Sequence, residues 1–283
     1  MIKLIECPRD AMQGLHEFIP TKTKATYINQ LLKVGFDTID FGSFVSPKAI
    51  PQLKDTAEVL SHLDLSSTKS KLLSIVANER GAIDACSFAE IDYLGFPFSI
   101  SETFQQRNTN SSIAESLIRV ADIQNLCVKH KKKLVVYISM AFGNPYGDLW
   151  NSDIVIEWTK KLANLGIEII ALSDTTGVST PENISYLFSN TIPEFSNLEI
   201  GAHLHTTPTT WEEKVKAAHK SGCIRFDGAI KGFGGCPMAT DALTGNMATE
   251  NLIQYFTNEK TSLDLNLNEF NQSMLDALSF FPT

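Results

Sequence analysis

The sequence predicts an α/β protein, a (β/α)8 TIM barrel with an additional C-terminal helix. Short apolar, β-rich runs alternate with longer amphipathic segments along the chain. Eight such pairs can be counted. The length, 283 residues, is long for one ordinary domain and normal for a barrel. The reading is one catalytic domain over residues 1–283, with the barrel about 1–256 and a C-terminal helical extension about 257–283.

The elements follow in order. Residues 3–6 read as the first strand, and residues 23–34 as a helix with Tyr27, Ile28, Leu31 and Leu32 on one face before Gly35. Strands are expected at 38–41, 72–77 and 90–95. Residues 112–129 carry Ile113, Leu117, Val120 and Ile123 at helical spacing. The strand at 133–139 holds an unbroken apolar run, Leu134 to Ile138, as strands buried on both faces do. A helix at 153–165 ends at Gly166, and a strand is expected at 167–173. Thr180-Pro181-Glu182 supplies an N-cap, a first-turn proline and an acidic residue ahead of Ile184, Leu187 and Phe188. The strand at 199–204, a helix at 210–220 closed by Gly222, and the strand at 224–229 complete the series. Residues 267–281 read as a further helix that covers a barrel face or a partner. A doubly wound open sheet is the runner-up, but no GxGxxG follows the first strand.

Composition narrows the function. With 43% hydrophobic and 20% charged residues the chain can bury a full core. A formal net charge of -8 disfavours nucleic acid as the main partner. The five cysteines show no CxxC spacing, which fits a reducing, cytoplasmic setting better than a disulfide framework. The N-terminus has no signal-peptide pattern, and no apolar run approaches the roughly 20 residues of a membrane span.

Barrel sites lie at the C-terminal ends of the strands, and the polar residues gather there. Arg9, Asp10 and Gln13 follow the first strand, and Asp40, Ser43 and Lys48 the second. Arg107 and Asn108 follow the fourth, Asp174 ends the sixth, His203 and His205 end the seventh, and a glycine-rich run to Cys236 and then Asn246 follow the eighth. His203-Leu204-His205 is the sharpest feature, because residues two apart on a strand face the same side. Two imidazoles with one carboxylate, naturally Asp10, suit Zn²⁺, Fe²⁺ or Mn²⁺, and further oxygen ligands favour Mg²⁺ or Mn²⁺. Arg9 beside Asp10 reads either as a guanidinium that neutralises a developing enolate or as a surface ion pair. Cys236 is either a mobile acid or base or part of a tight turn. Asp174 could be a general base, could orient a histidine or could cap a turn.

At these residues the sequence resembles the 3-hydroxy-3-methylglutaryl-CoA lyase family, within the metal-dependent aldolase and Claisen-type barrel superfamily. The resemblance runs from about residue 2 to 255 and rests on Cys7-Pro8-Arg9-Asp10 with Gln13, Ser43-Phe44-Val45-Ser46-Pro47-Lys48 with Pro51-Gln52, and Ser173-Asp174-Thr175-Thr176-Gly177-Val178. It rests also on His203-Leu204-His205, Gly232-Phe233-Gly234-Gly235-Cys236-Pro237, and Thr244-Gly245-Asn246-Met247-Ala248-Thr249-Glu250. It implies that Asp10, His203, His205 and Asn246 hold a divalent cation, Mg²⁺ or Mn²⁺. It implies enolate stabilisation by Arg9, acid–base work by Asp174, proton transfer by Cys236, and a metal-proximal place for Asp40. The implied reaction is cleavage of 3-hydroxy-3-methylglutaryl-CoA to acetyl-CoA and acetoacetate. Lys48, Arg107 and Asn108 read either as contacts to the CoA or as solvated loop residues. Asp40 replaces the family's glutamate, Thr206 its usual aspartate, and Met140 and Asn144 stand where many members carry cysteines. The alternative is a related aldolase or Claisen-type lyase or synthase acting on another 3-hydroxy acyl-CoA or 2-oxo acid. A homodimer is the expected assembly.

Overall fold

The structure, a computed structural model, describes residues 1–235 and 244–281. Eight parallel strands close in sequence order, β1 pairing with both β2 and β8. In chain order the elements are β1 (Lys3–Glu6), α1 (Pro8–Gln13), α2 (Thr21–Val34), β2 (Thr38–Ser43), α3 (Thr56–Ser61), β3 (Lys71–Ile75) and α4 (Glu79–Cys86). β4 (Tyr93–Ser99), α5 (Glu102–Thr109), α6 (Ile113–Lys129), β5 (Lys133–Ser139) and α7 (Ser152–Asn164) follow. β6 (Ile169–Asp174), α8 (Pro181–Glu194), β7 (Glu199–Leu204), α9 (Trp211–Lys220), β8 (Arg225–Gly228), α10 (Thr249–Asn258) and α11 (Leu267–Phe280) complete the chain.

Local chemistry sets the boundaries. Ser112 caps α6 with a reciprocal box to Glu115, and Thr180 caps α8 through the backbone of Asn183. β4 runs over Tyr93–Ser99 where 90–95 was expected, and Pro97 sits inside it. The ladder to β3 ends at Gly95, whose carbonyl accepts from Val76, while the ladder to β5 runs on to Ser99. The Pro97 nitrogen therefore faces the side on which no ladder bond is needed.

The barrel is filled from within by Leu73, Ile75, Val135, Tyr137, Ile169 and Ala171. A larger core lies between strands and helices. Gly201 makes room inside, since a Cβ there would lie 2.8 Å from the stem of Arg225. The pairing of β2 with β3 shifts between Asp40 and Gly42, and such a bulge re-aims side chains at a barrel rim.

The helix expected beyond the barrel is α11, and it covers α2. Phe280 stacks on Tyr27 at 4.5 Å, and the Gln30 amide donates to the Glu269 backbone. Just past it, Phe281 packs on Phe233 at 4.7 Å, in the glycine-rich segment after β8. Among the described residues no helix is long and apolar enough to cross a membrane.

Candidate active site

Pro8 starts α1 directly after β1, which puts Arg9 and Asp10 in a first helical turn at the barrel mouth. Both are buried. Gln13 lies one turn later and bonds both, accepting from Arg9 Nη1 at 2.9 Å and donating to Asp10. The Arg9 guanidinium forks onto Asp40, with Nη2 at 2.6 Å and Nε at 3.0 Å from Oδ2, and its Nη1 reaches Asp10 at 3.2 Å. Asp40 is thus the anchor that fixes the Arg9 plane. Of the five guanidinium hydrogens, one on Nη2 remains for a ligand.

His203 and His205 face the mouth together, their rings 5.5 Å apart. His203 Nδ1 meets Asp227 Oδ2 at 3.1 Å, so Nε2, at 3.7 Å from Asp10 Oδ2, is left for a metal. Asp227 was not singled out in the sequence. Its signal is positional, since the β7–β8 register sets His203 against Asp227. Burial alone would lower the His203 pKa, but the bond and charge of Asp227 and the charge of Asp10 raise it above the ordinary value. Burial, with His203 adjacent, pushes His205 down to about 4, so its imidazole is neutral. Burial would raise Asp10, yet Arg9, both histidines and a hydrogen bond with Asn246 hold it below its usual range.

These groups fit a divalent cation. One ligand atom each from Asp10, His203 and His205 lie within 4.8 Å of one another. His205 Nδ1 is buried and has no hydrogen-bond partner among the described residues, an arrangement that costs free energy unless something binds there. Asn246 sits beside Asp10 and donates to the Phe233 carbonyl at 2.9 Å, so its amide oxygen could complete the set. Two imidazoles, a carboxylate and an amide form an N/O set of the kind that Mn²⁺ and related ions accept. Gly234 closes over them with φ +89°, and a Cβ there would lie 2.6 Å from the Asp10 carbonyl.

A cavity of about 530 Å³ opens above this cluster. Arg9, Asp10, His203 and His205 line its inner end, and the more exposed Arg107, Asn108 and Arg119 its outer rim. Arg107 is held over the Tyr146 ring at 4.7 Å. Lys48 is exposed and is not part of the wall, although Ser46 and Ala49 beside it are. Asp174 also stands behind the wall, between Ser173 and Thr175, which do line it. Its carboxylate accepts from Lys214, another residue the sequence did not single out, and from Ser179. Cys236 lies outside the described residues. Thr206 bonds the Gly245 carbonyl through its backbone, Met140 takes a left-handed backbone at φ 61°, and Asn144 folds back onto Asp148.

Comparison with known proteins agrees with this geometry. The sequence profile of the HMGL-like family matches residues 2–274. A hydroxymethylglutaryl-CoA lyase of Bacillus subtilis is 33% identical over 87% of this chain and 81% of its own length. The mitochondrial hydroxymethylglutaryl-CoA lyase of Bos taurus is 32% identical over 99% of this chain and 84% of its own length. Among solved structures, an HMG-CoA lyase of the bacterium A. baumannii, in complex with coenzyme A and 3-methylmalate, superposes with a TM-score of 0.92 at 30% identity. That match covers 99% of this chain and 91% of the other. Carboxyl transferase domains of Rhizobium etli pyruvate carboxylase match at 15% identity and share the fold alone. From the barrel, the mouth cluster and a profile match over nearly its whole length, the chain belongs to the HMGL-like family.

Proposed function

We propose that the chain is a divalent-metal-dependent carbon–carbon lyase that cleaves 3-hydroxy-3-methylglutaryl-CoA to acetyl-CoA and acetoacetate, with Mg²⁺ or Mn²⁺ as its ion. The observation that carries the reading is the cluster of Asp10, His203 and His205 beside Arg9 at the inner end of the cavity. Asp10, His203, His205 and Asn246 would hold the ion. When bound it supplies Lewis acidity, lowering the pKa of the substrate hydroxyl.

The chain's own groups do the rest. Arg107, Asn108 and Arg119 on the rim suit the phosphates and adenine of CoA, which would aim the acyl end inward. The hydroxyl proton passes to water in the open cavity, the C–O⁻ electrons form the ketone of acetoacetate, and the pair of the breaking C–C bond moves onto the thioester oxygen. The remaining Nη2 hydrogen of Arg9, aimed by Asp40, stabilises that charge without reorganising. Cys236, close in sequence to Gly234, is our choice for the donor that protonates the enolate carbon. The relatives' names and the CoA complex of one solved relative support the substrate.

The test is to incubate purified protein with the thioester and Mg²⁺ or Mn²⁺ and measure acetoacetate. Product that requires the ion supports the reading. A metal-loaded protein that yields none would sink it and favour an aldolase or Claisen-type activity on another acid.

A further inference from the structure

We infer that Lys214 is a positioning residue of the metal site, acting through the backbone of His205. The inference rests on the metal-site reading above. α9 is a surface helix, yet the Lys214 side chain is only 3% exposed. An ammonium has three donors, and here each has an acceptor: Asp174 Oδ2 at 2.8 Å, the Gly177 carbonyl at 2.9 Å and the His205 carbonyl at 3.0 Å. These acceptors come from the end of β6, the loop after it and the residue just past β7. One side chain therefore ties two neighbouring strand ends at the level of the histidines.

The two histidines are held by different means. His203 is oriented through its ring, by Asp227. His205 has no such bond among the described residues: whichever ring nitrogen takes the ion, the other has no hydrogen-bond partner to orient it. Its ring direction must then follow from its backbone, which is fixed on one side by the bridge to Asn246 and on the other by Lys214. Asp174 completes the clamp. Its Oδ1 accepts from the Ser179 backbone at 3.1 Å, and its Oδ2 takes both Lys214 and the Ser179 hydroxyl. Filled in this way and set behind the wall that Ser173 and Thr175 line, the carboxylate holds Lys214. Asp174 and Lys214 together form the clamp on which the His205 ligand rests.

A buried ion pair with only a structural role is replaceable by apolar groups with little loss. A positioning pair is not, and metal affinity separates the two. Free Mn²⁺ would be titrated by electron paramagnetic resonance against metal-free wild type, His205→Ala, Lys214→Met and the double variant Lys214→Met/Asp174→Asn. The double variant leaves no unpaired buried carboxylate and so guards against misfolding of the single one. We expect wild type to bind, His205→Ala to lose the ion, and both Lys214 variants to bind at least about tenfold more weakly with unchanged far-ultraviolet circular dichroism. Wild-type affinity in either folded Lys214 variant overturns this inference alone. Absence of binding by the wild type overturns the metal-site reading and this inference with it.

Discussion

His203 and His205 show how far a residue's chemistry depends on what stands behind it. One leans on Asp227 and the other on its own backbone, so their failures should differ. Asp227→Asn is expected to keep the ion but weaken it about tenfold to a hundredfold, read by equilibrium dialysis with Mn²⁺. Equal affinity would remove Asp227 from the site. Arg9→Lys loses the fork to Asp40 and should lower kcat by about 10²–10³ with metal content unchanged, a split that steady-state assay and metal analysis together would reveal. A third residue acts on stability. Burial pushes Glu6 up to about 8, outweighing its bonds with Thr249 and Ile230. The folded chain keeps a proton there that the unfolded chain releases above its ordinary value of 4.5. Stability from this group is full below that value and is lost as pH rises through about 8. Between those limits the wild-type Tm should therefore fall relative to that of Glu6→Gln, and parallel melting curves would refute the buried proton.

At the scale of elements, the sequence was most legible where pattern and pairing agree. The strands at Lys3–Glu6, Lys133–Ser139 and Glu199–Leu204 stand where their apolar runs begin and end. β4 was displaced because a proline inside a strand reads as an ending, and only its one-sided ladder shows why it is tolerated. Asp10, His203 and His205 were legible as candidate ligands because each lies at or just past the C-terminal end of a strand. Asp227 and Lys214 were not, because their roles come from register and from helix docking. α11 carries its own prediction. Phe281 is buried against Phe233, and the neighbouring Gly234 abuts Asp10. Phe281→Ala should cost about 3 kcal/mol in urea unfolding and also lower the lyase rate. A stability loss with a full rate would separate the helix from the site.

Over the whole molecule, charge is arranged against its own sum. The chain carries -8, yet Arg107 and Arg119 stand together at the outer rim of the cavity. For the proposed substrate, an anionic thioester, these two arginines set a local attraction at the cavity against the net negative charge of the chain. Arg107→Ala with Arg119→Ala should raise KM for the thioester about tenfold or more while leaving kcat nearly unchanged. Added salt should reproduce part of the effect in the wild type only. A fall in kcat alone would place these arginines with the chemistry instead.

The packing of Phe281 on Phe233 also bears on the order in which the chain is made. A ribosome makes all eight strands before it makes α11. Because α11 is made last, a chain that stopped short of it would keep the proposed ligands Asp10, His203, His205 and Asn246 but lack the brace behind Gly234. In such a chain ion uptake and turnover would come apart, the first kept and the second lost.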